Sequence, residues 1–326
     1  MFDILPENVA YFHSTYKMSD EKKYRVAEVH AKGFGVIAVR DIKKGEVIWE
    51  DKVILNARVL GGKSNFHNTS LLNKQVIELS EEDRREFLSL NDPDPDGPEE
   101  LRNQRIYANN TFFDGCYLLS SRMNHSCKPN VLISSDDTLS AEVVAIRDIT
   151  AGEEILVSYL RTSDLETFSE RREKIRNWGF QCNCQLCILS KAAREKNDSQ
   201  RLFVRNSLSK VDSFLDDLWR DPTKSPELVK DALESLFSIT VNSLQVLLTD
   251  LQGEADTSVL AAYLKLAELT AFSECERFRK RLGDECKTSC CWMLKAKDHA
   301  RMMGKMFVSN CKTMEREIRE LREEFC

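Results

Sequence analysis

Three cysteines in the segment Cys182-Asn183-Cys184-Gln185-Leu186-Cys187 carry the strongest chemical signal in the chain. A CxCxxC spacing brings three thiolates within reach of one tetrahedral Zn²⁺, and a structural site of that kind is closed by a fourth ligand. In the β-rich half of the sequence the candidates for that ligand are Cys116 and Cys127; Cys127 is preferred because it lies among polar groups in Asn124-His125-Ser126-Cys127. A closed all-thiolate site has no open position for a reactive water, so the metal it implies is structural and a zinc hydrolase is disfavoured. The competing reading of the same residues is a set of buried free thiols.

Three further segments offer polar groups that could act on a ligand. Lys32-Gly33-Phe34-Gly35 would let backbone approach a small molecule closely. It has neither the third glycine nor the following helix of a dinucleotide fingerprint, since VIAVRDI continues as a strand, and a plain hairpin turn is the alternative. In RMNHSCKPN, Asn124 and His125 place an amide and an imidazole beside Cys127, although a lone histidine is as readily a satisfied structural residue. ILVSY ends in Tyr159, which by itself would pass for a core tyrosine with a bonded hydroxyl.

Composition limits what these groups can serve. A net charge of -6 over 326 residues argues against a nucleic-acid surface and favours a basic protein or peptide partner. The first twenty residues lack a basic segment followed by an apolar one, so no signal peptide is expected and the eleven cysteines should be reduced, as metal ligands or buried thiols. No apolar run is read as long enough to span a bilayer. An intracellular protein with no membrane partner is the resulting expectation; a monomer is also expected, in the nucleus and/or cytoplasm.

The elements that must position the segments follow from periodicity. Short branched-chain runs punctuated by glycine predict strands over 24–54, 106–119, 129–134 and 141–159. A helical insert is expected over 56–105, with Ser80 and Asp83 fitting a capping box ahead of the acidic loop 92–100, which could steer a basic substrate or be a solvated loop. A short helix is predicted from Ser169, as its cap, to Trp178, ended by Gly179. Beyond Lys191 apolar residues recur every three or four positions, predicting about five helices in antiparallel hairpins, broken at Pro222, Pro226, Gly253 and Gly283. Cys275, Cys286, Cys290, Cys291, Cys311 and Cys326 read as buried thiols of those helices. The fold class is therefore α+β: a β-rich domain over 1–165 with its core at 24–160, a zinc segment over 166–190, and an all-α domain over 191–326.

Taken together and in this order, GFG, NHSC, ILVSY and CxCxxC resemble the SET-domain lysine methyltransferases, most closely the branch that includes the SET-and-MYND proteins. The resemblance covers about residues 24 to 190. It implies a SET fold with a post-SET zinc site on Cys127, Cys182, Cys184 and Cys187, and S-adenosylmethionine as cofactor. It implies that Lys32, Gly33, Phe34 and Gly35 hold the cofactor's amino-acid end, that Asn124 and His125 hydrogen-bond it, and that Asn110 makes another contact. Tyr159 would stand at the methyl-transfer pore as catalytic residue, Phe180 would stack on the adenine, and Tyr117 and Trp178 would line the channel for a protein or peptide lysine, a histone tail among the candidates. Two departures stand out. No MYND finger is present, since no cysteine occurs between Trp49 and Tyr107, and Trp178 stands where related sequences often carry tyrosine. A catalytically weak zinc protein serving as a binding module is the alternative that these departures keep open.

Overall fold

The computed structural model describes residues 23–56, 69–112, 115–135, 140–160, 165–220, 226–251, 256–274, 289–301, 303, 308, 311–316 and 319. In chain order the strands are β1 (Tyr24–Val29), β2 (Gly33–Ala38), β3 (Val47–Asn56), β4 (Thr111–Phe112), β5 (Gly115–Tyr117), β6 (Asn124–His125), β7 (Val131–Ser134), β8 (Ser140–Ala145) and β9 (Glu154–Val157). The helices are α1 (Thr69–Glu78), α2 (Glu81–Leu88), α3 (Arg102–Asn109), α4 (Phe168–Ile175), α5 (Lys191–Arg220), α6 (Pro226–Thr249), α7 (Asp256–Glu274) and α8 (Ser289–Arg301). The chain divides into two units, one of Met1–Lys43, Val53–Asn124 and Asp148–Leu156, the other of Lys44–Lys52, His125–Arg147 and Val157–Cys326.

In the first unit β1 and β2 form an antiparallel hairpin with Val26 opposite Val36. Its turn is closed by the Lys32 N–H donating to the Val29 carbonyl at 3.0 Å, with Ala31 and Gly33 both at positive φ, 60° and 71°. Gly33 takes that conformation without strain, which is why glycine opens β2. The far edge of β2 pairs with β9, Val36 opposite Ile155 and Ile37 opposite Glu154. The helical insert packs Leu72, Val76, Phe87, Ile106 and Tyr107 against Leu55 and Cys116, all buried. Ser80 caps α2 as expected, its hydroxyl accepting from the Asp83 N–H at 3.1 Å. The expected strand over 106–119 is corrected: α3 runs to Asn109, and among the described residues of that range only Thr111–Phe112 and Gly115–Tyr117 are strands. Buried Ile106 and Tyr107 are the apolar face of that helix, and packing against the insert overrides their strand propensity.

In the second unit β8 lies between β7 and the first half of β3, Val143 facing both Ile133 and Trp49. The cap of α4 lies two residues ahead of the expected Ser169: it is Thr167, its hydroxyl accepting from the Glu170 N–H at 3.4 Å while the Glu170 carboxylate accepts from the Thr167 N–H at 2.7 Å. Both residues of a capping box are present at Thr167 and Glu170, a pairing that Ser169 lacks. Gly179, at φ 75°, ends the 3-10 turn Arg176–Trp178 as expected. Helices α5 to α8 share one core through Val204, Leu208, Val211, Leu233, Leu247, Leu260, Leu266 and Ala296, onto which Leu132 and Leu165 also pack. Each fully buried leucine there contributes about 1.5–3 kcal/mol.

Pro226 opens α6, where its missing N–H costs nothing, while Pro222, Gly253 and Gly283 lie outside the described residues. One stretch, Asp231–Thr249, is long and apolar enough by composition to cross a bilayer, a run the sequence reading did not credit. Its Leu233, Leu244 and Leu247 are buried in the helical core, and 28% of the stretch is buried in all. Cys311 is buried as expected; Cys275, Cys286 and Cys326, and the side chains of Cys290 and Cys291, lie outside the described residues.

Candidate active site and metal centre

In the first unit the hairpin turn places three polar side chains together. The Lys32 ammonium donates to Glu154 Oε2 at 2.7 Å, and the Asn124 amide nitrogen donates to Glu154 Oε1 at 2.8 Å and to the Phe34 carbonyl at 3.1 Å. Gly35 is what makes room for them: a Cβ there would sit 2.8 Å from Glu154 Oε1, 2.9 Å from Asn124 Nδ2 and 2.8 Å from Val29 Cγ2. The Phe34 ring is half exposed beside this recess. An ammonium, a carboxylate and an amide in one place offer both signs of charge, which is what a zwitterionic amino-acid group requires. Lys32, Gly33, Phe34, Gly35 and Asn124 are thus brought together as a set.

Glu154 was missed by the sequence reading. It is 122 positions from Lys32, and nothing in the spacing of GEEI marks one glutamate over its neighbour. The usable signal lies in the β2–β9 register, where Glu154 faces Ile37. Asn110, expected to contact the cofactor, stands at the end of α3. Its amide donates to the carbonyls of Ile106 at 2.7 Å and Asn91 at 2.8 Å, capping α3 within the insert. Tyr117 is buried on β5.

In the second unit the backbone of NHSC meets the end of β9, the Ser126 N–H donating to the Val157 carbonyl at 2.9 Å. His125 Nδ1 accepts from the Tyr159 N–H at 2.9 Å, so in its neutral form the ring carries its proton on Nε2. That proton points at Cys127 Sγ, 3.3 Å away. One imidazole therefore ties the backbone of Tyr159 to a thiol. Around it gather the Tyr159 ring at 5.3 Å and the Phe180 ring at 6.1 Å, while the Tyr159 and Trp178 rings lie 5.6 Å apart, centroid to centroid.

The sulfur atoms of Cys127, Cys182, Cys184 and Cys187 all lie within 4.8 Å of one another. Cys127 Sγ is 3.9 Å from Cys182 Sγ and 3.6 Å from Cys187 Sγ. A tetrahedron of Zn–S bonds of about 2.3 Å requires sulfur separations near 3.8 Å, so the four thiols fit a zinc ion. Two local turns present them. Ser126 Oγ accepts from the Lys128 N–H at 3.0 Å below Cys127, and the Cys187 and Ile188 N–H groups both donate to the Cys184 carbonyl, at 2.9 and 3.1 Å. Hydrogen bonding within the cluster pulls the Cys182 thiol below the usual thiol range and Cys184 down to about 5, while the Cys127 and Cys187 thiols are pushed above it. Cys116, the other candidate for fourth ligand, is buried on β5 in the first unit and is absent from the cluster.

Residues 33–160 match the family model of the SET domain. The histone-lysine N-methyltransferase set5 of Schizosaccharomyces pombe is 30% identical over 186 residues, covering 55% of this chain and 54% of that protein. A SET and MYND domain-containing protein of Dictyostelium discoideum is 35% identical over 74 residues, covering 23% of this chain and 21% of that protein. The chain thus spans about half of the yeast relative and less of the other. Among solved structures, the SET domain of LSMT bound to lysine and AdoHcy aligns over 94% of this chain and 92% of that one, at 12% identity and a TM-score of 0.32.

Proposed function

We propose that this chain, whose residues 33–160 are a SET domain, is an S-adenosylmethionine-dependent protein-lysine N-methyltransferase. The observation that carries the reading is the placement of Tyr159, two residues beyond the end of β9, its backbone pinned by His125 and its ring set against Trp178 and Phe180.

Lys32, Gly35 and Asn124 are assigned to the cofactor's amino-acid end, and the thiol cluster to one structural Zn²⁺ held by Cys127, Cys182, Cys184 and Cys187. S-adenosylmethionine, when bound, supplies a methyl group activated on a sulfonium. The chain's own task is geometric: the lysine nitrogen must meet the methyl carbon from the side opposite the sulfur, at roughly 3–3.5 Å. The aromatic walls of Tyr159 and Trp178 exclude water from the amine. Such a channel penalises the ammonium, whose reference pKa is about 10.4, and so favours the free amine that reacts. Tyr159 orients amine and methyl through its oxygen; the lysine proton leaves to solvent before transfer, so no dedicated base is needed. Phe180 is assigned to the adenine and Tyr117 to the channel.

The yeast relative's name supports a histone lysine as the first substrate to test and a nuclear location. Tyr159→Phe tests the central role. Turnover in a methyl-transfer assay on histone should fall roughly 10²–10³-fold while cofactor affinity is kept, the effect of removing one preorganised polar group at a reacting centre. Near-normal turnover rejects that role, and failure of the unaltered protein to bind S-adenosylmethionine rejects the enzyme in favour of a binding module.

A further inference from the structure

We infer that Glu154 is a positioning residue that turns the Asn124 amide so that its carbonyl oxygen, and not its NH₂, faces the amino group of the cofactor's methionine end; the inference rests on the methyltransferase reading above.

An asparagine side chain has two N–H donors and one carbonyl oxygen, and the face it presents depends on what its neighbours consume. Both donors of Asn124 are taken, one by the Phe34 carbonyl at 3.1 Å and one by Glu154 Oε1 at 2.8 Å. Among the described residues only Oδ1 is left to meet a ligand, and it can only accept. An α-ammonium brings donors alone, so this orientation is the productive one. A flipped amide would oppose its oxygen to both the Phe34 carbonyl and the Glu154 carboxylate.

The carboxylate can do this because it is itself held. Its other oxygen accepts from Lys32 Nζ at 2.7 Å, and the Glu154 side chain is 14% exposed against 43% for Lys32. β9 supplies the backbone restraint by pairing Glu154 with Ile37. Gly35, lying under both Glu154 Oε1 and Asn124 Nδ2, leaves the pair in contact where any side chain would part them. Lys32 also keeps the carboxylate from competing as a free anion for the ammonium, so Asn124 Oδ1 and the Glu154–Lys32 pair act as one rig.

The test compares two ligands that share the methylthioadenosine part, S-adenosylmethionine and 5′-methylthioadenosine, which lacks the amino-acid end and with it the sulfonium charge. In titration calorimetry, Glu154→Ala should weaken S-adenosylmethionine tenfold or more, as expected for loss of a hydrogen bond to a charged group, and leave methylthioadenosine within about twofold. Glu154→Gln keeps an oxygen for the Asn124 N–H and should restore S-adenosylmethionine binding to within about threefold of the unaltered protein. Equal weakening of both ligands by Glu154→Ala, no weakening of either, or a Gln variant as poor as the Ala variant each overturns the inference while leaving the methyltransferase reading intact. Unaltered protein that binds neither ligand overturns both. Thermal melting of ligand-free Glu154→Gln separates a folding failure from the binding effect.

Discussion

The bare Cα of Gly35 decides more than any side chain near it. A methyl group there would lie within 3 Å of Glu154 Oε1, Val29 Cγ2 and Asn124 Nδ2, and the first and last of these already bond to each other. Gly35→Ala must therefore push the amide off the carboxylate or deform the hairpin, and overpacking of this kind costs about 1–3 kcal/mol. We expect a melting temperature lower by several degrees and S-adenosylmethionine affinity reduced at least about tenfold; unchanged values in calorimetry and thermal melting would show that the recess is looser than drawn. The glycine was legible in the sequence because a strand-rich context with Lys32-Gly33-Phe34-Gly35 asks for close approach. Its neighbour Glu154 was not, since carboxylates on strands are ordinarily solvated and only the register of two strands brings this one to the turn. Cys127 stands between these cases. Three thiols at CxCxxC demanded a fourth, polar surroundings favoured Cys127 over Cys116, and the sulfurs do converge.

At the level of elements, α4 shows how the chain is fixed ahead of the CxCxxC segment. Its capping carboxylate, Glu170, also receives Arg205 from α5 at 3.0 Å, and Phe168 beside it lies under Arg194 at 4.4 Å and Arg172 at 5.9 Å. The Thr167 N–H, ahead of the Arg205 guanidinium, holds the Glu170 carboxyl below its ordinary range. A depressed carboxyl stabilises the fold above its unfolded pKa, about 4.3, and loses that contribution as pH falls through the folded value. Thr167→Ala should thus cost about 1 kcal/mol in denaturant unfolding at neutral pH, the usual worth of an N-cap. The deficit of Glu170→Gln against the unaltered protein should shrink as the buffer is taken from pH 7 to below 4; a deficit independent of pH would mean the charge of Glu170 contributes nothing. The sequence reading found this helix and its glycine stop but placed the cap at Ser169, because Ser, Thr and Glu crowd Thr167-Phe168-Ser169-Glu170 and only side-chain reciprocity picks the cap. The strand expected over 106–119 failed for a related reason: Ile106 and Tyr107 satisfy either period, and the insert's core settles which.

For the molecule as a whole, the two units are interleaved along the chain. The crossings between Asn124 and His125 and between Leu156 and Val157 fall inside the very motifs that stood out. Asn124 bonds within one unit and His125 within the other, so the NH pair is legible as a motif while its two duties are not. The same scale shows what a zinc ion in the thiol cluster would contribute. Between Gly179 and Ser190 the chain forms no strand or helix, and Leu186 is its one buried apolar side chain. Fixing a dozen residues costs about 1–2 kcal/mol each in backbone entropy, and one leucine returns about 1.5–3 kcal/mol. A structural zinc site would contribute an apparent free energy of about 10–16 kcal/mol, of the same size as that gap. We therefore expect one zinc per chain by elemental analysis, lost on chelation and on acidification, since protons compete for the same thiolates. Cys182→Ser should likewise lose the metal. Protease should cut the metal-depleted protein between Gly179 and Ser190 while the helical core from Lys191, buried through its own leucines, resists; equal resistance of that segment with and without zinc would show that packing alone orders it.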